Sequence, residues 1–193
     1  MTAKQPGPRI APLNPPYPPD IEAQLLKWMP PGAAVEPLAL FRTLAIHEEL
    51  FGRMRPLGAG ILGHGRVPPR DREIVIHRIC ARAGAEYEWG VHAVVQAPEV
   101  GLTAEQTDAA AIGTADDPAW SPQDTVLVRL ADELHDTADI SDDLWPELTA
   151  RYRDDQILEL VTIAGWYRLL SSVLNVARTP HEPWARRFPV RTA

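Results

Sequence analysis

Residues 72–92 read REIVIHRICARAGAEYEWGVH, and this stretch carries both a helical pattern and side chains suited to acid–base chemistry. Apolar residues recur at helical spacing through its first half, and Gly84 interrupts the pattern before a second helical run begins. The pattern predicts one helix from Arg70 to Ala83 and another from Ala85 to Gln96. Because only a short turn separates them, we expect the two helices to pack against each other.

The second helix carries a glutamate and a histidine four residues apart, Glu88 and His92. This spacing places both side chains on one helix face. A carboxylate beside an imidazole raises its basicity and fixes its orientation, so the pair is suited to proton transfer. The alternative is a surface Glu–His pair with no function, which is common on helices.

The first helix places Glu73, His77, Cys80 and Gly84 on one face that also borders Ile76. A carboxylate on an otherwise apolar face must be paired or have a raised pKa to be tolerated there. Glu73 is therefore a second candidate for acid–base chemistry. Its alternative explanation is a first-turn residue that interacts favourably with the helix dipole.

The rest of the chain also reads as helical, with start signals at five places and no convincing strand or fixed-period repeat. We expect Asp20 to cap a helix over Ile21–Met29, and the glycines at 58, 60, 63 and 65 to form a flexible connector. Further helices are expected after the capping box Thr103–Gln106, after Ser121, after Ser141 and from Asp154 to Ala177. The sequence therefore predicts an all-α, single-domain helical bundle.

Proline content divides the chain into three parts. Seven prolines fall within residues 1–19, which predicts an extended arm that either dangles or lies across a neighbouring surface. Residues 20–178 form the predicted helical domain, and residues 179–193 form an irregular tail.

Composition restricts the class of protein. A net charge of −7 with scattered basic residues argues against a nucleic-acid partner. The single cysteine cannot form an internal disulfide and suits the cytoplasm. We expect neither a signal peptide nor a membrane span, because the apolar run Leu160–Val176 is short and contains polar residues. The remaining histidines show no metal-ligand spacing, so we expect no metal and no cofactor.

Four further residues are candidates for binding a substrate. His135 ends its helix and either reaches the pocket or stabilises the helix dipole. Arg168 is the only charge between Leu160 and Val176, so it either forms an ion pair or binds a substrate carboxylate. Tyr167 precedes it on the same helix, and Trp89 either lines the pocket or belongs to the core or an interface.

The spacing of Glu73, Ala85, Glu88 and His92 resembles the signature of the carboxymuconolactone decarboxylase family, within the alkylhydroperoxidase D-like superfamily. The phrases GAEYEW at 84–89 and LADELH at 130–135 are similar to members of its decarboxylase-type branch. The resemblance spans about residues 41–176. It implies the helical fold of that superfamily, homo-oligomers such as trimers or hexamers, and Glu73, Glu88 and His92 as the catalytic set.

The chain departs from the peroxidase branch at two positions. That branch has the pattern Cys-x-x-Cys, but Ala85 and Glu88 stand where its cysteines would be. Peroxide reduction of this kind needs a nucleophilic thiolate and a resolving thiol. We therefore expect a cofactor-independent enzyme that decarboxylates, or moves a proton on, a small carboxylate or lactone. The alternatives are an alkylhydroperoxidase-type antioxidant protein and a helical scaffold without catalysis.

Overall fold

The computed structural model describes residues 7–29 and 35–190, and all regular structure in them is helical. The helices are α1 (Pro19–Leu26), α2 (Ala39–Leu44), α3 (Glu48–Gly63), α4 (Pro69–Arg82), α5 (Glu86–Val95), α6 (Ala104–Ile112), α7 (Pro122–Thr137), α8 (Leu144–Thr149) and α9 (Asp154–Ala177). The predicted all-α, single-domain fold is confirmed. The predicted bounds of α4 and α5 differ from the observed bounds by one residue at each end.

Helix α4 lies at the centre of the bundle, where it packs against α5, α6, α7 and α9. Every residue from Asp71 to Cys80 is buried, including several charged ones. Buried charges are tolerated only when they are paired. Arg78 accordingly donates to both oxygens of Asp132 on α7, at 2.6 and 2.9 Å, and Asp71 accepts from the Tyr152 hydroxyl at 2.8 Å.

Two predicted helix starts are confirmed and two are displaced. Thr103 forms a reciprocal capping box with Gln106, and Ser121 caps α7. Asp20 does not cap α1, because the helix begins one residue earlier at Pro19, after Pro18. Asp154 is likewise the first residue of α9 rather than its cap. In both places the carboxylate lies inside the first turn, where the helix dipole also favours it. The predicted end of the first helix is wrong, because α1 ends at Leu26 and not at Met29. Pro30, which was expected to stop the helix, lies outside the described residues.

The prediction of a glycine-rich connector at 58–65 is wrong, because α3 continues through Gly58 and Gly60 to Gly63. Gly58 is buried against two tryptophans: a Cβ there would lie 3.0 Å from ring atoms of both Trp28 and Trp166. A glycine in a helix interior costs about 1 kcal/mol relative to alanine. Burial of the two rings stabilises the helix by more than this cost.

The arm and the tail both lie on the helical bundle of their own chain. In the arm, the Arg9 and Ile10 amides donate to the Ala177 carbonyl at 2.8 and 3.1 Å, and the Leu13 amide donates to the Arg42 carbonyl at 3.2 Å. The tail is irregular and crosses α5, where the Phe188 amide donates to Glu86 at 2.8 Å. The described part of the arm thus covers α2 and the end of α9.

Helix α9 is long and apolar enough to cross a membrane by length and composition alone. Half of its most apolar 18-residue window is buried inside the protein, and it packs against α4, α5 and α7. Core helices of soluble domains meet the same criteria, so the feature is weak evidence for a membrane span.

Candidate functional site

Helix α5 presents Glu88 and His92 to one large cavity. The two residues are four apart, so they lie one above the other on the same helix face. Glu88 Oε1 and His92 Nε2 are 3.6 Å apart. Both side chains are nearly inaccessible to bulk water, with 4% and 5% of the residue exposed.

Glu73 on α4 reaches the other ring nitrogen of the same histidine. Its Oε2 lies 2.7 Å from His92 Nδ1, which is a short, charge-assisted hydrogen bond. Glu73 itself is completely buried. The imidazole therefore lies between two carboxylates, one beneath it in the core and one beside it at the cavity.

Two further α4 residues surround the buried carboxylate. Arg72 Nε lies 3.6 Å from Glu73 Oε1. His77 Nδ1 lies 2.7 Å from the backbone carbonyl of Glu73 and 3.9 Å from its Oε2. A donor–acceptor distance of 2.7 Å to a carbonyl implies that His77 carries its proton on Nδ1.

These contacts shift the pKa values of His77 and His92 in opposite directions. Burial alone would lower the pKa of His92, but Glu73 and Glu88 outweigh it and raise that pKa to about 10. Burial dominates at His77 and lowers its pKa to about 4. Burial would raise the pKa of Glu73, but His92, His77 and Arg72 hold it below its usual value. At neutral pH the site therefore contains a carboxylate–imidazolium pair beside a neutral imidazole.

The cavity that His92 lines has a volume of about 570 Å³, which falls within the range of small-molecule sites. Glu88 and His92 form part of its wall together with Tyr167 of α9, whose ring meets the His92 ring edge-on at 5.1 Å. Burial, with the nearby carboxylates, raises the pKa of Tyr167 well above its usual value, so the phenol keeps its proton. Most of the other lining residues are apolar, and they include Trp28, Phe41, Val91, Trp166, Leu170 and Trp184.

The structure does not bring Trp89 to this cavity. Successive helix residues point about 100° apart, so Trp89 turns away from the face that carries Glu88. It is completely buried beneath the C-terminal tail, with Phe188 5.2 Å from its ring and the Arg186 guanidinium 5.2 Å from its ring centre. Its assignment to substrate binding is corrected to a packing role.

His135 and Arg168 also lie outside the cavity lining. His135 Nδ1 contacts the neighbouring carboxylate of Asp136 at 2.8 Å, near the end of α7. Arg168 is exposed, and at about 100° per residue it lies on the opposite side of α9 from Trp166, Tyr167 and Leu170, which line the cavity. Neither expected position for Arg168, in a buried ion pair or in the pocket, is observed.

The sequence did not identify the aromatic residues of the cavity outside α9. Trp28, Phe41 and Trp184 come from three distant parts of the chain. Local spacing contains no signal that relates them, because only the packing of α1, α2 and the tail brings them together. Within residues 7–29 and 35–190, no His, Cys, Asp or Glu side chains are grouped so as to hold a metal ion.

Comparison with known sequences places the catalytic candidates inside a family pattern. Residues 48–133 match the model of the carboxymuconolactone decarboxylase family. This range runs from α3 into α7 and contains Glu73, Glu88 and His92. No curated protein matches the chain.

Comparison with solved structures identifies the fold. An uncharacterised peroxidase-related protein from Silicibacter sp. TM1040 aligns with a TM-score of 0.77 at 12% identity, over 95% of both chains. An uncharacterised peroxidase-related protein from Ralstonia eutropha JMP134, with an alkylhydroperoxidase AhpD core, aligns with a TM-score of 0.74 at 14% identity, over 90% of this chain and 93% of the other.

The chain is thus related to the carboxymuconolactone decarboxylase family over residues 48–133, and it shares its fold with AhpD-like proteins. A third structure has a TM-score of 0.66 at 17% identity, over 72% of this chain and 94% of the other. It is a protein of unknown function from Agrobacterium tumefaciens with the provisional description of an antioxidant defence protein, AhpD. Proteins with this fold thus carry different functional descriptions.

The thiol chemistry of AhpD-like proteins has no counterpart in this chain. Cys80 is the only cysteine, and it is completely buried on α4. Burial and the Glu88 carboxylate raise the pKa of its thiol well above the usual value. A reactive cysteine requires the opposite shift and access to its substrate.

Proposed function

We propose that this protein is a cofactor-independent enzyme of the decarboxylase type, which transfers a proton to or from a small carboxylate or lactone. The observation that carries the proposal is the Glu73–His92 pair: a buried carboxylate fixes the imidazolium of a histidine that lines a cavity of substrate size. A cytoplasmic location is part of the proposal, since a lone thiol suits a reducing compartment.

We assign the proton transfer to His92, with Glu73 and Tyr167 in supporting roles. Loss of carbon dioxide from a lactone acid breaks a carbon–carbon bond and leaves its electron pair on carbon as an enolate-like carbanion. His92 Nε2 donates the proton that forms the new carbon–hydrogen bond, while Glu73 holds Nδ1. The protonated phenol of Tyr167 lies beside the same ring and stabilises the enolate oxygen. Water at the cavity returns the proton to His92.

Deuterium incorporation tests the proposal. The protein is incubated in D₂O with a panel of lactone acids and unsaturated carboxylates, and the products are followed by proton NMR for carbon-bound deuterium and loss of carboxylate. We expect at least one compound to react faster than in buffer alone. If none reacts and none shifts the melting temperature, the site is a structural cluster in a helical scaffold.

The names of the structural relatives favour a second candidate, an AhpD-like antioxidant protein. We expect the Cys80→Ser variant to keep the full turnover of the wild type on any verified substrate, because a buried, protonated thiol cannot act as a nucleophile. Turnover is measured beside circular dichroism, which controls for the fold. Loss of turnover in a folded Cys80→Ser protein would restore the thiol mechanism.

We further propose that the protein is a homo-oligomer. Its longest helix, α9, leaves an apolar stripe exposed, with Leu158 69%, Leu169 45% and Val176 59% accessible in the single chain. Large apolar side chains exposed along one helix face favour association. Light scattering at micromolar concentration should show a trimer or a hexamer. A monomer would contradict the expectation.

A further inference from the structure

The cavity has an aromatic wall that the proton-transfer residues do not require. Trp28, Phe41, Trp166 and Trp184 line it together with a smaller charged set that includes Glu36, Glu88 and His92. Trp28 and Phe41 pack on each other with ring centres 4.7 Å apart. A compact, doubly charged aliphatic acid would exchange its hydration shell for these rings, so its entry would cost free energy.

The aromatic wall is also preformed. Gly58 has no side chain, which allows the rings of Trp28 and Trp166 to pack against helix α3, each 3.0 Å from where a Cβ would stand. Trp166 is 7% exposed, so its ring is fixed by the surrounding helices. Rigid aromatic faces favour flat, conjugated partners, which they contact by offset stacking.

Trp184 completes this wall from the C-terminal tail, which is fastened on both sides of it. Before it, Glu182 Oε1 accepts hydrogen bonds from the Ala39 amide at 2.7 Å and the Tyr87 hydroxyl at 2.6 Å. After it, Arg186 donates to Asp108 at 2.7 Å. The tail also lies directly on α5, since a Cβ on Gly90 would collide with the Arg186 carbonyl. Trp184 is nevertheless 47% exposed, so its ring is available to a ligand.

Two basic residues join His92 as cationic groups of the cavity lining. They are Lys27 and Arg55, and the Arg55 Nε–H donates to the Lys27 carbonyl at 3.0 Å. This hydrogen bond holds the guanidinium beside the cavity, where its terminal groups can receive one carboxylate.

We propose that the cavity binds a planar, ring-containing carboxylate, whose ring stacks against the aromatic wall and contacts Trp184. Arg55 and Lys27 meet its acidic group. The proposal builds on the proposed function, because binding would place the ligand's ring beside His92, the proposed proton donor. Trp184 is the residue that selects ring compounds over small aliphatic acids.

Isothermal titration calorimetry on the full chain tests this assignment with 2-naphthoate and succinate as probes. We expect saturable binding of 2-naphthoate and none of succinate. The Trp184→Ala variant should bind 2-naphthoate about tenfold more weakly, since a stacked aromatic contact and its buried area contribute on that scale. Trp145→Ala is the matched control, because Trp145 is equally exposed but lies outside the cavity lining. It should bind as the wild type does.

The outcomes separate this assignment from the proposed function. Tighter binding of succinate than of 2-naphthoate, or equal affinities in the wild type and Trp184→Ala, overturns the ring-carboxylate assignment even if the protein exchanges protons. Binding of 2-naphthoate that depends on Trp184 but not on Trp145 supports the assignment, even if no compound incorporates deuterium and the proposed chemistry fails. Unchanged melting temperatures in both variants exclude loss of the fold as the cause.

Discussion

Replacing His92 with alanine should lower turnover of a verified substrate by roughly a hundredfold or more, the usual scale for losing a general acid. The variant removes a proton donor that is both held by Glu73 and open to the cavity. Glu88→Gln should reduce turnover comparably, because Glu88 helps to hold the proton on His92 Nε2. Initial rates of deuterium incorporation measure both effects.

A matched histidine controls for nonspecific damage. His135 pairs with Asp136 outside the cavity, so His135→Ala should keep wild-type turnover. Thermal unfolding of each variant separates catalysis from stability, since His92→Ala leaves Glu73 buried without its main partner. If His92→Ala melts earlier but turns over at the wild-type rate, the cluster is structural and the site assignment is wrong.

Replacing Glu73 with glutamine should lower the free energy of unfolding by about 3–5 kcal/mol, the range observed when one member of a buried ion pair is removed. Glu73 is completely buried, and the substitution removes the carboxylate that contacts His92 Nδ1 and Arg72. Chemical denaturation measures the loss. Glu49→Gln is the control, because Glu49 pairs with Arg53 on an exposed helix face and should cost less than about 0.5 kcal/mol.

The same pair should make stability depend on pH in a defined direction. The pKa of His92 is about 10 in the folded protein and 6.5 in a model compound. The folded state therefore binds the proton more tightly, and this contribution is fully present below pH 6.5 and is lost as the pH rises toward 10. Glu73→Gln should remove most of that decline.

Measurements from pH 6.5 to about 8 separate this effect from the titration of the Cys80 thiol and the Tyr167 phenol, whose raised pKa values also weaken the fold at higher pH. Below pH 6.5 His77 acts in the opposite direction, because its pKa is held to about 4 and the unfolded chain takes up the proton first. Glu73 has a lowered pKa, so its contribution is present above pH 4.5 and is lost only as the pH falls through its folded pKa. A decline of equal size between pH 6.5 and about 8 in the wild type and Glu73→Gln would contradict the pairing.

Local sequence determined the helices and part of the site. The period of 3.6 residues fixed α4 and α5 to within a residue, and Thr103 and Ser121 marked two helix starts through hydrogen bonds that a short segment makes by itself. The i, i+4 spacing of Glu88 and His92 placed them on one face. The cysteine count alone argued against dithiol chemistry, because a resolving thiol requires a second cysteine in the chain.

Only the tertiary structure decided how distant residues meet. Gly58 and its neighbouring glycines suggest a flexible loop when read locally, but the burial of Trp28 and Trp166 keeps them in α3. By residue type, the side chains of Trp89, His135 and Arg168 were plausible substrate-binding groups. Each lies on a side of its helix that does not line the cavity. The Glu73–His92 hydrogen bond and the wall that Trp184 completes depend on how helices and tail pack, because their members lie far apart in sequence and local propensity carries no information about such pairs.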